Sequence, residues 1–205
     1  MTRSGPPFCQ RERSALCDLL AELGPDVPTL CAGWTSADLA AHLYVRDRRL
    51  DTGPGNVVKW PPFGGWTKRV QDNARDTLKW GALLKGIRSG PPAAVKPFDR
   101  ALNTIEYYVH HEDVRRAQPE WAPRVLAPKD DEALWHHISS MRFGYLFSSQ
   151  VLRRAPAAAR LEAPGREPIL LTKNGQGTVV RGPVGEVTLW LLGRKEVAQV
   201  DVASE

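Results

Sequence analysis

The sequence has little of what would classify a chain at a glance. Its three cysteines, Cys9, Cys17 and Cys31, stand 8 and 14 residues apart, and no CxxC pair occurs. That spacing excludes a zinc ribbon and a thioredoxin-type motif, and the three thiols read as buried or idle rather than catalytic. No uninterrupted apolar run approaches the roughly 20 residues a membrane helix needs. Met1–Gln10 holds two prolines and, beyond the initiator, Phe8 as its single large apolar residue. Without the apolar centre of a secretory leader, the compartment expected is the cytoplasm. Basic residues are also not massed: net charge is +5, but the arginines alternate with acids, and Arg46, Arg48 and Arg49 form the densest group. A nucleic-acid footprint would show a stripe or a known module, and neither is present, so no nucleic-acid partner is expected.

What is present is an ordinary globular composition, 42% apolar and 25% charged over 205 residues. That is enough chain for one domain with an appendage. Five stretches carry helical periodicity: Gln10–Leu23, closed by Gly24-Pro25; Ser36 to about Arg49; Trp66–Ile87; Asp99 to about Ala117; and Asp130 to about Phe147. Thr35 or Ser36 can cap the second helix, with Asp38 favouring its positive end. A Gly- and Pro-rich loop, Asp51–Gly65, separates the second and third helices and is long enough to border a site. Beyond Arg154 the texture changes to short β-like runs, Ile169–Thr172 and Thr178–Val180, joined by the turn-forming Asn174–Gly177. A short apolar helix over Val184–Leu192 and a strand over Val197–Val202 close the chain. The expected architecture is mainly α: a four-helix bundle over residues 1–150 and a small α+β extension over 151–205.

Three positions carry chemistry. Leu39, His42, Leu43 and Arg46 share one stripe of the second helix, which turns His42 inward. On the fourth, Ala101, Leu102, Ile105 and Val109 mark a buried stripe that also includes Glu106 and His110, four residues apart and stacked one above the other. Taken singly, His42 reads as a satisfied core histidine, and Glu106 with His110 as an intrahelical pair that Arg46 reaches. Taken together, two helices turn ligand-type side chains inward where apolar ones would be cheaper, and an inward carboxylate is costly unless a cation or several donors meet it. Two histidines and one carboxylate with an open fourth position form the donor set of a catalytic zinc, though ferrous iron or another divalent ion fits the same donors. Asp113 lies one turn beyond His110 and reads equally as an orienting group or as a solvated helix-end acid. Asn103 and Asp38 are weaker candidates of the same kind. His111, about 100° around the helix, is the alternative ligand, while His136 and His137 are expected at the surface.

The string Gly33-Trp34-Thr35-Ser36-Ala37-Asp38-Leu39-Ala40-Ala41-His42-Leu43 resembles the second-helix signature of the DinB/YfiT-like metal-binding bundles. The branch it is most similar to is that of mycothiol-dependent maleylpyruvate isomerase. Asn103–Asp113 resembles that branch's Glu-x-x-x-His segment, and Gly185–Arg194 the segment that closes its second domain. The resemblance implies a zinc ion on His42, Glu106 and His110, with water as the fourth ligand. It also implies a low-molecular-weight thiol, mycothiol, as partner, a small electrophile as substrate, and Arg194 as a residue that assists that substrate. Oligomeric state is left open, with a homodimer among the options.

Overall fold

The computed structural model describes residues 5–48, 63–140, 159–171 and 177–204. Seven α-helices and four short strands are found among them: α1 (Phe8–Leu23), α2 (Ser36–Arg48), α3 (Phe63–Thr77), α4 (Trp80–Arg88), α5 (Asp99–Arg115), α6 (Pro128–Ser140), β1 (Ala159–Glu162), β2 (Ile169–Leu170), β3 (Thr178–Arg181), α7 (Val184–Leu191) and β4 (Asp201–Ser204). The fold is mainly α with a small α+β extension, as expected from the DinB-like resemblance. No helix among the described residues is long and apolar enough to cross a membrane. Most of the loop expected over Asp51–Gly65 lies outside the described residues, as do the turn at Asn174–Gln176 and the last part of the helix expected to reach Phe147.

The chain divides into two compact units, one ending at Trp121 and one beginning at Ala122. Helix α6, which the sequence places with the bundle, groups with the sheet in the second unit.

In the first unit, α1 ends where Gly24 takes φ of +85°, a conformation that favours glycine, and its N–H closes on the Leu20 carbonyl. Leu16, Cys17 and Leu20 of α1, Leu39 and Leu43 of α2, Leu84 and Ile87 of α4, and Tyr107 and Val114 of α5 form one buried cluster. A satellite cluster of Ala41, Val45 and Ala74, with Val70 and Leu78 against it, joins α2 to α3. The single helix expected over Trp66–Ile87 is two helices. The Thr77 hydroxyl bonds back to the Asn73 carbonyl at 2.6 Å, and Lys79 takes an extended conformation. The break lets Leu78 serve the satellite cluster while Leu84 and Ile87 serve the main one.

The stripe expected on α5 is displaced. Leu102 is 52% exposed and Ala101 is exposed, whereas Asp99, Asn103, Thr104 and Tyr107 are buried. Apolar counting failed there because the inward side of the first turns is polar and met by partners on α1 and α2. Arg13 binds Asp99 through both terminal nitrogens, Asn103 donates to Asp99 and Asp47, and the Tyr107 hydroxyl donates to Asp47 at 2.6 Å. This network ties the first turn of α5 to α1 and α2.

In the second unit the strand order is β2-β1-β3-β4. The two β-like runs that the Asn174–Gly177 turn was expected to join do not pair with each other; β2 and β3 flank β1, which runs antiparallel to β2 and parallel to β3. The hairpin that does form joins β1 to β2 through Ala163-Pro164-Gly165-Arg166. Pro164 sits second in that turn, Gly165 has φ of +68°, and the Arg166 N–H closes on the Ala163 carbonyl, the type II pattern. Strand β1 escaped notice because Ala159-Arg160-Leu161-Glu162 has little β character of its own and is held by pairing on both edges.

Candidate metal centre

Helix α2 is set by a reciprocal cap. The Thr35 N–H donates to Asp38 Oδ2 at 2.9 Å, and the Asp38 N–H lies 3.4 Å from Thr35 Oγ1. Asp38 also accepts from Arg75 of α3 at 2.6 Å, so it starts the helix and pins its neighbour rather than serving a ligand. One turn on, Trp34 and His42 have ring centroids 5.2 Å apart.

Three donor atoms from α2 and α5 converge. His42 Nε2 lies 3.2 Å from Glu106 Oε1, and His110 Nε2 lies 3.3 Å from the same oxygen. All three lie within 4.8 Å of one another. Ligands held about 2.0–2.1 Å from a tetrahedral ion sit roughly 3.3 Å apart, so both edges that share Glu106 already have the spacing of a zinc donor set. The donor set suits a divalent ion. Each donor residue also has a polar partner: Arg46 Nε is 3.0 Å from the same Glu106 Oε1, the Asp113 carboxylate is 2.8 Å from His110 Nδ1, and the Gln71 side-chain amide is 2.9 Å from His42 Nδ1.

The electrostatics follow from burial opposed by charge. Burial works to raise the pKa of Glu106, but the Arg46 charge and the two imidazole bonds outweigh it and hold the carboxyl well below its usual range. Burial pushes the His42 pKa down and keeps that ring neutral, more than offsetting its bond to Glu106. Burial also opposes charge on His110, yet the bonds to Asp113, Cys31 and Glu106 prevail and lift its pKa well above the ordinary value. Without a cation the cluster is therefore self-neutralising, with Glu106 between Arg46 and protonated His110. A metal ion entering it competes with a proton.

Residues 9–59 match the family model of the mycothiol maleylpyruvate isomerase N-terminal domain. The match agrees with the resemblance read from the α2 signature. It covers about a quarter of the chain and contains His42 and Arg46, whereas Glu106 and His110 lie beyond it, brought to His42 by the fold. No curated protein and no solved structure matches the chain.

Of the remaining candidates, His111 is turned away, its Nδ1 2.9 Å from Glu12 of α1, and it joins neither metal-type group found among the described residues. Asp113 is fully buried against His110, so its carboxylate orients an imidazole. His136 is exposed, and His137 bonds the Ala133 carbonyl at 2.8 Å within its own helix. Arg194 follows α7 in the second unit, its guanidinium donating to the Leu192 carbonyl at 2.8 Å.

Sequence reading missed two participants. Gln71 stands on α3 with no sequence signal beyond its helical position. Cys31, expected to be idle, lies 3.3 Å from Asp113 Oδ2 and 4.0 Å from His110 Nδ1, and the three form a second donor group. Cys9 and Cys17 do behave as core thiols: burial raises both, Cys17 to about 11.

Proposed function

We propose that the first unit holds a zinc ion on His42, Glu106 and His110, and that this centre serves a thiol-dependent transferase or isomerase acting on a small electrophile. The observation that carries the reading is the convergence of two imidazole nitrogens on one carboxylate oxygen at the edge lengths of a zinc donor set. The match to the mycothiol maleylpyruvate isomerase N-terminal domain supports mycothiol as the thiol. A bound zinc ion would supply a thiolate or hydroxide nucleophile at neutral pH. The chain's own residues do the rest. Burial keeps His42 neutral and thus able to ligate, Asp113 accepts the His110 Nδ1 proton so that Nε2 faces Glu106, and Arg46 steadies the carboxylate. Arg194 is assigned, by resemblance, to assist the substrate, and the cytoplasm is the compartment in which a low-molecular-weight thiol would be met.

A second reading, a non-catalytic metal-binding or stress-response module, rests on the same three donors, which would hold an ion whether or not turnover follows. Two measurements decide between them. Protein purified without added metal is expected to carry stoichiometric zinc by elemental analysis and to turn over a panel of electrophiles only with thiol. His42→Ala is expected to lose both. Full zinc occupancy in that variant would overturn the ligand assignment, and zinc without thiol-dependent turnover would leave the module.

A further inference from the structure

His42 divides its two ring nitrogens between helices. Nε2 faces Glu106 at 3.2 Å, and Nδ1 faces the Gln71 amide nitrogen of α3 at 2.9 Å. In this arrangement the Gln71 amide donates to Nδ1, which places the ring proton on Nε2, where it bonds Glu106 Oε1. A cation at Nε2 needs that nitrogen's lone pair. The ring proton must then sit on Nδ1, and its partner must be an acceptor. A carboxamide satisfies either demand by turning over, because donor and acceptor occupy the two ends of one planar group. The carboxylate behind His110 has no such choice when ionised, since Asp113 accepts only.

We propose that Gln71 is the positioning residue of His42, its side-chain amide donating to Nδ1 in the empty centre and turning over to accept from Nδ1–H when the cation binds. The proposal rests on the metal reading above and adds to it a residue outside the matched segment, on a helix that supplies no ligand. It also gives a reason for an amide at this position. A carboxylate would favour the loaded tautomer at all times, whereas glutamine stabilises the empty and the filled centre alike and suits a site that exchanges its ion.

The test uses the full chain with zinc alone as probe, titrated against a competing chelator. Gln71→Leu keeps the approximate length without an acceptor and is expected to weaken zinc binding 10- to 100-fold. Gln71→Glu, which restores an acceptor, is expected to bind zinc at least as tightly as the unaltered chain. In ¹⁵N-detected histidine spectra of the unaltered protein, His42 is expected to carry its proton on Nε2 when metal-free and on Nδ1 when loaded. Equal zinc affinity in Gln71→Leu, equal losses in the Leu and Glu variants, or one unchanged tautomer in both states would overturn the proposal while leaving the metal reading intact. Failure of the unaltered protein to bind zinc would overturn both.

Discussion

Replacing Asp99 by alanine removes the partner of a buried guanidinium, and its cost can be worked from the geometry. Arg13 and Asp99 have side chains 4% and 5% exposed and meet through two parallel bonds, one of them 3.0 Å. At about 4 Å and an effective dielectric constant near 20, opposite charges attract by about 4 kcal/mol. Breaking a buried pair on one side costs about 3–5 kcal/mol, because the remaining charge is left desolvated. Two features cushion the loss: Asp47 Oδ2 lies 3.7 Å from Arg13 Nε, and the guanidinium rests 4.5 Å over the Tyr107 ring. Against them, Asn103 loses one of its two acceptors. The expected destabilisation for Asp99→Ala is therefore about 3 kcal/mol, at the low end of that range. Urea unfolding at pH 7, read from the shift in midpoint at unchanged slope, measures it. The double variant Arg13→Met, Asp99→Leu should cost less than the sum of the single changes, since it removes both charges of the pair together. A loss below about 1 kcal/mol for Asp99→Ala, with the double variant equal to the sum of the singles, would refute the view that this pair anchors α5.

Two further outcomes are expected. Asp38→Ala removes the α2 cap and its tie to Arg75, at a cost of about 1 kcal/mol at pH 7. Although burial opposes it, bonds from Thr35 and Arg75 depress the Asp38 pKa. Its contribution is thus complete above the unfolded value of about 3.9 and lost as pH falls through the lower folded value. Thermal unfolding of variant and parent should converge at strongly acidic pH, and a constant gap would contradict the assignment. Gly86→Ala should destabilise despite alanine's better helix propensity of about 1 kcal/mol, because an added Cβ would run into the edge of the Tyr44 ring. Overpacking of that kind costs about 1–3 kcal/mol, and a raised melting temperature would show that the ring moves aside freely.

The legible parts were those with local causes. The Thr35–Asp38 cap, the Gly24 stop and the spacing of Glu106 and His110 are written within a few residues, and each is found in place. The misread parts have non-local causes. The inward face of α5 is polar because Arg13 and Asp47 meet it, which no periodicity on α5 itself can reveal. The split between α3 and α4 serves two different core clusters, and β1 exists because strands on both sides pair with it. Cys31 and Gln71 lie far in the chain from the imidazoles they approach.

By itself, then, the order of residues determined that Glu106 and His110 stand one turn apart on one helix and that His42 shares a stripe with Leu39 and Leu43 on another, because helical spacing is a local property of the chain. Only the tertiary structure decided that His42 Nε2 and His110 Nε2 meet on a single oxygen of Glu106, and which group stands behind each ring. Distances between helices depend on how side chains from all of them pack together.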